Sequence, residues 1–153
     1  MPDPSGSVNL LDRRAEDGLL DALEAEAVGC IAFSPLAQGL LTDKYLGGSI
    51  PADARAATAH FLKASNVTPH VLDKVRALNR LAEARGHSLA QMALAWLLHR
   101  RVVASVVVGA SRVSQIDDAV GALAVPDFGA TELAVIDTAL GFAPELGTGQ
   151  APT

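Results

Sequence analysis

Two short segments carry the residue types that could do chemistry. Phe33-Ser34-Pro35-Leu36-Ala37-Gln38 and Val108-Gly109-Ala110-Ser111 each close an apolar run with small or polar residues. Backbone built from such residues can approach a ligand closely. A helix opening near Ser111 would offer free N–H donors and the positive end of its dipole to an anion. Lys44 and Arg55, on the long connection between the segments, are the cations able to neutralise it. The pattern therefore points to an anionic ligand bridging two strand ends. The plainer alternative is commoner among proteins: Ser111 only caps a helix, and both cations are solvated.

Other reactive side chains invite less. Cys30 lies one residue into an apolar run and reads as a small core residue, not a nucleophile. A single cysteine also excludes an internal disulfide and a cysteine zinc site. His60, His70, His87 and His99 share no ligand-like spacing, so no metal site is expected. Tyr45 beside Lys44 resembles an acid/base pair, since a nearby cation lowers a phenol pKa. Trp96 reads as core, and Glu24, Glu26, Asp117 and Asp118 as exposed or helix-terminal.

The elements that must position these segments are legible in outline. Residues 1–11 are rich in Pro, Ser and Gly and read as a flexible lead. From Asp12 a helical pattern sets Leu19, Leu20, Leu23 and Ala27 on one side, with Gly29 as its stop. Cys30-Ile31-Ala32-Phe33 is then a strand expected to be buried on both faces. Gln38 to Lys63 shows no sustained period. Thr68-Pro69 predicts an N-cap and first-turn proline for a helix turning Val71, Val75, Leu78 and Leu81 inward, ended by Gly86. Ser88 and Gln91 form a capping box for a largely apolar helix over 89–99. Val102 to Val108 is the second strand, followed by a helix to about Leu123 and a last helix capped by Thr131. The span 12–143 reads as one domain and 144–153 as a loose tail.

Composition agrees with a globular domain: 153 residues, half of them hydrophobic, with aromatics so few that Ala, Leu and Val must fill the core. The formal charge of -5, without a basic block, gives no footprint for nucleic acid or an anionic membrane. The N-terminus has no basic or apolar signal region, and the expectation is a cytoplasmic protein. The order of elements is α/β with parallel strands. Two strands are few for a parallel sheet, so the chain reads as part of a larger architecture.

The run from Val28 to Tyr45, which contains Phe33-Ser34-Pro35-Leu36-Ala37-Gln38-Gly39 and Lys44, resembles the aldo-keto reductases. It is most similar to the branch with bacterial L-glyceraldehyde 3-phosphate reductases and potassium-channel β subunits. Ser105 to Gln115 is similar to the family's second cofactor motif, and Leu89 to Leu97 to the helix between. The resemblance implies a helix-rich partial (β/α)8 barrel: its C-terminal portion, strands seven and eight with their helices. It implies an NADP(H) site in which Phe33, Ser34, Pro35, Leu36, Ala37 and Gln38 line the dinucleotide and Lys44 meets its phosphates. Arg55 would lie at the adenosine phosphate end, Gly109 and Ser111 near the 2′-phosphate, and Gln115 and Asp118 on the adenine side. Family members often carry Asn at the place of Ala119 and Glu at that of Asp118. The nicotinamide-stacking Tyr commonly found before Asn9 has no counterpart in Gly6-Ser7-Val8. The family's catalytic Asp, Tyr, Lys and His belong to the first half of the barrel, so no catalytic residue is assigned, and Tyr45 falls instead on a cofactor loop. Three roles follow: a nucleotide-binding portion completed by a separately encoded N-terminal half, a non-catalytic module that self-associates through its open sheet, or a degenerate product.

Overall fold

In the computed structural model the described residues are 7–47 and 67–142. Arg55 and His60 lie outside them, as do the tail from 144 and the first six residues. The elements, in chain order, are α1 (Leu19–Ala25), β1 (Cys30–Phe33), α2 (Pro69–Ala84), α3 (Leu89–Leu98), β2 (Val103–Val107), α4 (Val113–Gly121) and α5 (Ala130–Leu140). The chain is a helix-rich α/β protein with a small parallel sheet.

Capping chemistry sets the two central helices. Thr68 Oγ1 accepts from Val71 N at 3.2 Å, and Pro69 follows at the first helical position. Ser88 Oγ accepts from Gln91 N at 3.0 Å while Gln91 Oε1 accepts from Ser88 N at 3.1 Å. Each such cap stabilises its helix by about 1 kcal/mol. α3 is buried along nearly its whole length, Met92, Leu94, Trp96 and Leu97 included. It packs on β2 and lies against α2 and α4. Val75 and Leu78 of α2, and Ile136 and Leu140 of α5, complete the core. Two arginines secure its rim. The guanidinium of Arg13 sits over Trp96 and Phe142 and binds Glu16 and Asp137, and Arg100 covers the Trp96 ring at 4.5 Å.

The strands pair in parallel, Ile31 with Ser105 and Phe33 with Val107, with an irregularity between Cys30 and Ile31. A Cβ on Gly29 would come within 3.1 Å of the Ala104 Cβ, so the absent side chain lets the strands meet there. Cys30, Ala32, Val103 and Val106 pack toward the helices. Contrary to expectation, β1 is covered on one face only. Ile31 is 64% exposed and Val107 57%, because no element among the described residues lies over that side.

Three further expectations change. Residues 7–11 are not a loose lead: Ser7 bridges Phe33 on the edge of β1 away from β2, and Val8 and Leu10 are fully buried. The apolar alternation of Val8 and Leu10 was masked by the Pro/Gly/Ser residues before it. The helix expected from Asp12 is broken by Gly18 (φ +87°) into a short 3-10 turn, Arg14–Glu16, and α1, which ends at Ala25 and leaves Ala27 in a left-handed conformation. Finally, α5 is capped by Gly129, not Thr131, which lies inside the helix; Gly129 N donates to Glu132 Oε2 at 2.8 Å.

Candidate functional site

A groove of about 610 Å³ runs between the C-terminal ends of the two strands. Its first wall follows β1. Pro35 and Leu36 turn the chain into a 3-10 turn, Ala37–Gly39, in which Ala37 (φ +47°), Gln38 (φ +60°) and Gly39 (φ +97°) are successively left-handed. Ser34 is left-handed too, at φ +51°. Non-glycine residues held this way cost about 1 kcal/mol or more each, and persist only where surrounding contacts fix them. Asn9 supplies one. Buried to 3% exposure, its Nδ2 donates to the Ser34 carbonyl at 3.1 Å. Its Oδ1 accepts from Leu11 N and Asp12 N, both at 2.9 Å. Asp12 in turn accepts from Ser7 Oγ at 2.7 Å and pairs with Arg14. The Arg14 hydrogen bond, against partial burial and aided by Ser7, brings the Asp12 carboxyl down to a pKa of about 2. Sequence reasoning missed Asn9. Its one signal was a lone amide between the apolar residues Val8 and Leu10.

The second wall follows β2. Here the N–H donors expected to be free are already engaged. Gln115 Oε1 accepts from Ser111 N at 2.8 Å and Arg112 N at 3.3 Å, with Ser111 Oγ at 3.3 Å. The helix opens at Val113, two residues beyond Ser111, and the carboxamide of Gln115 in its own first turn caps it. Asp118 faces α3, accepting from Ser88 Oγ at 3.1 and 3.2 Å, and so joins the start of α3 to α4.

Phe33, Ser34, Pro35, Leu36, Gln38 and Lys44 line the groove from one side and Gly109, Ser111, Gln115 and Asp118 from the other. Ala37 belongs to the same turn without lining it, and Arg55 lies outside the described residues. With the buried Tyr45, which the resemblance places on a cofactor loop, the floor is formed by Ala90 and Leu94 of α3, not singled out beforehand. Their apolar spacing marked them only as core. Lys44, half-buried, has no ion-pair partner among the described residues. Tyr45 is 1% exposed and packs with Leu40, Leu72 and Val71. Among the described residues no group of three or more His, Cys, Asp or Glu side chains could hold a metal, and no helix is long and apolar enough to cross a membrane.

The profile of the Aldo/keto reductase family matches residues 5–140. The chain belongs to this family. L-glyceraldehyde 3-phosphate reductase of Escherichia coli O157:H7 is 50% identical over 137 residues, which are 86% of this chain and 39% of the relative. A probable voltage-gated potassium channel subunit beta of Arabidopsis thaliana is 38% identical over 107 residues, 69% of this chain and 33% of its own. A crystal structure of a thermostable aldo-keto reductase with the inhibitor epalrestat superposes with a TM-score of 0.60 at 25% identity, covering 87% of this chain and 38% of that one. The chain thus spans between one-third and two-fifths of the length of these relatives.

Proposed function

We propose that this aldo/keto reductase chain is the C-terminal, NADP(H)-binding portion of the family's barrel and has no reductase activity by itself. The carrying observation is the groove: ten of the twelve residues expected to hold the dinucleotide line one continuous cavity between the two strand ends. Its size falls within the usual range for a small-molecule site.

The residues fit such a ligand. Lys44 supplies a positive charge unclaimed by any described carboxylate, suited to a phosphate. Pro35, Leu36, Ala90 and Leu94 offer an apolar surface to a flat ring. Gln115 covers the amides of Ser111 and Arg112; a phosphate there takes over those donors once the carboxamide swings aside. The chemistry that NADPH supplies when bound is hydride donation to an aldehyde or ketone. This chain's own part is to bind and orient. Reduction further requires an acid for the developing alkoxide. Tyr45 does not meet that need, because its side chain is buried against Leu40 and Leu72.

NADPH fluorescence titration of the purified chain tests this. Saturable binding, tighter for NADPH than NADH and weakened by Lys44→Ala, is expected, with no aldehyde reduction. Absence of saturable binding overturns the nucleotide site. Turnover abolished by Tyr45→Phe, or persisting through it, overturns the claim of inactivity.

A further inference from the structure

The capping box that opens α3 also reaches α4, at two points. Ser88 Oγ accepts from Gln91 N at 3.0 Å, which makes it the cap of α3 and leaves its single proton to donate. That proton goes to Asp118, whose carboxylate oxygens lie 3.1 and 3.2 Å away. Three residues further along α4, a Cβ on Gly121 would meet Gln91 Nε2 at 2.4 Å. Gly121 has an ordinary helical φ of -57°, so its missing side chain supplies room for the Gln91 carboxamide and not backbone freedom. The box therefore seats the helix that carries Gln115 and Asp118 to the groove.

Asp118 lines the groove with Ala90, Gln115 and Ala119, and Ser88 does not. Among the described residues Asp118 has no ion-pair partner and no hydrogen bond besides those from Ser88. An ionised carboxylate only accepts, with about four lone-pair sites. Ser88, placed almost evenly between the two oxygens, leaves most of that capacity to a ligand.

We propose that Ser88 is a positioning residue: by holding the Asp118 carboxylate in the groove, it makes the site select a nucleotide whose base presents an exocyclic amine. The proposal rests on the nucleotide reading above. Adenine offers that amine as a donor; hypoxanthine has a carbonyl in its place. A carbonyl set against the carboxylate leaves two acceptors facing each other without a proton. A site built around a hydrogen bond rejects the analogue that cannot make it. An untethered carboxylate would swing away from the carbonyl and lose the discrimination. The Ser88 hydroxyl opposes that swing, and its influence passes entirely through Asp118.

The test is fluorescence titration of the purified chain with NADPH and with reduced nicotinamide hypoxanthine dinucleotide phosphate. The native chain should bind NADPH about fivefold tighter or more, and Asp118→Ala or Ser88→Ala should bring the ratio below about twofold, chiefly by weakening NADPH. Ser88→Thr keeps the hydroxyl and should keep the ratio. Ser88→Asp keeps a cap for α3 but sets a second carboxylate against Asp118, so the ratio should fall there too, with little change in melting temperature. A role in capping alone would weaken both dinucleotides alike and spare Ser88→Asp. Equal affinity of the native chain for the two dinucleotides, or a ratio preserved in Ser88→Asp, overturns this inference and leaves the nucleotide site standing. No saturable binding of either dinucleotide overturns the site itself and the inference with it, so the two failures are distinct.

Discussion

The two walls of the groove are built on different principles. The wall after β1 is held from far away in sequence: Asn9, twenty-five residues upstream of Ser34, reaches across to the carbonyl of that left-handed residue, just ahead of the turn at Ala37–Gly39. The wall after β2 is held from within, by a side chain of the very helix it introduces. A loop pinned by buried polar bonds is preorganised, and ligand binding spends little to order it. A loop whose donors are satisfied by one partly exposed amide can exchange that partner for a ligand oxygen. The difference suggests a rigid cradle facing an adjustable lip.

Asn9→Ala tests the rigid wall most severely. It leaves the Ser34 carbonyl and the Leu11 amide without their side-chain partner, while Asp12 N keeps its bond to the Asn9 carbonyl, and should cost about 3 kcal/mol of stability, read by urea denaturation. NADPH affinity should fall with it even in protein that remains folded. If affinity is unchanged, the left-handed run holds itself and the contrast between walls fails. Lys44→Ala should weaken NADPH about tenfold, roughly 1.4 kcal/mol, by removing a charge-assisted contact, with little change in melting temperature.

A third test uses pH. The Asp12 carboxyl titrates near 2 in the folded protein against an ordinary 3.8, so the unfolded chain binds the proton first as pH falls. Its stabilising contribution is complete above the ordinary value and disappears as pH drops through about 2. Because Arg14 is well exposed, solvent screening limits the effect to about 1 kcal/mol. Asp12→Asn should flatten the acid limb of a stability profile between pH 4 and 2; an unaltered limb would mean the Asn9–Asp12 turn draws nothing from this carboxylate. The smallest effect belongs to the adjustable wall. Gln115→Ala should lower stability by about 0.5 kcal/mol, as for a lost helix cap, and leave NADPH affinity equal or slightly improved. A large loss of affinity would show the carboxamide to be a ligand contact and not an exchangeable cover.

How much of this was readable in the residues follows the same division. Local codes were plain: Thr68-Pro69 and Ser88…Gln91 specify their caps by chemistry within four residues, and the periodicity of Val75, Leu78 and Ile136 specifies burial. The groove was reachable because two apolar runs each end in small residues. What stayed hidden depends on distance or absence. Asn9 has no local reason to be buried; its reason is a carbonyl supplied by Ser34. Ile31 was expected to be covered because an apolar strand residue carries no mark of whether its second neighbour is present. Gln115 was assigned to the adenine side by family pattern, and only the folded chain shows it sealing the start of its own helix.

Gly29 and Ala104 touch where the sheet begins, one lacking a side chain and the other having the smallest. Bulk at these two sites is therefore reciprocal: enlarging Gly29 to Ala asks the strands to give by a few tenths of an ångström at their root, and a simultaneous Ala104→Gly removes that demand.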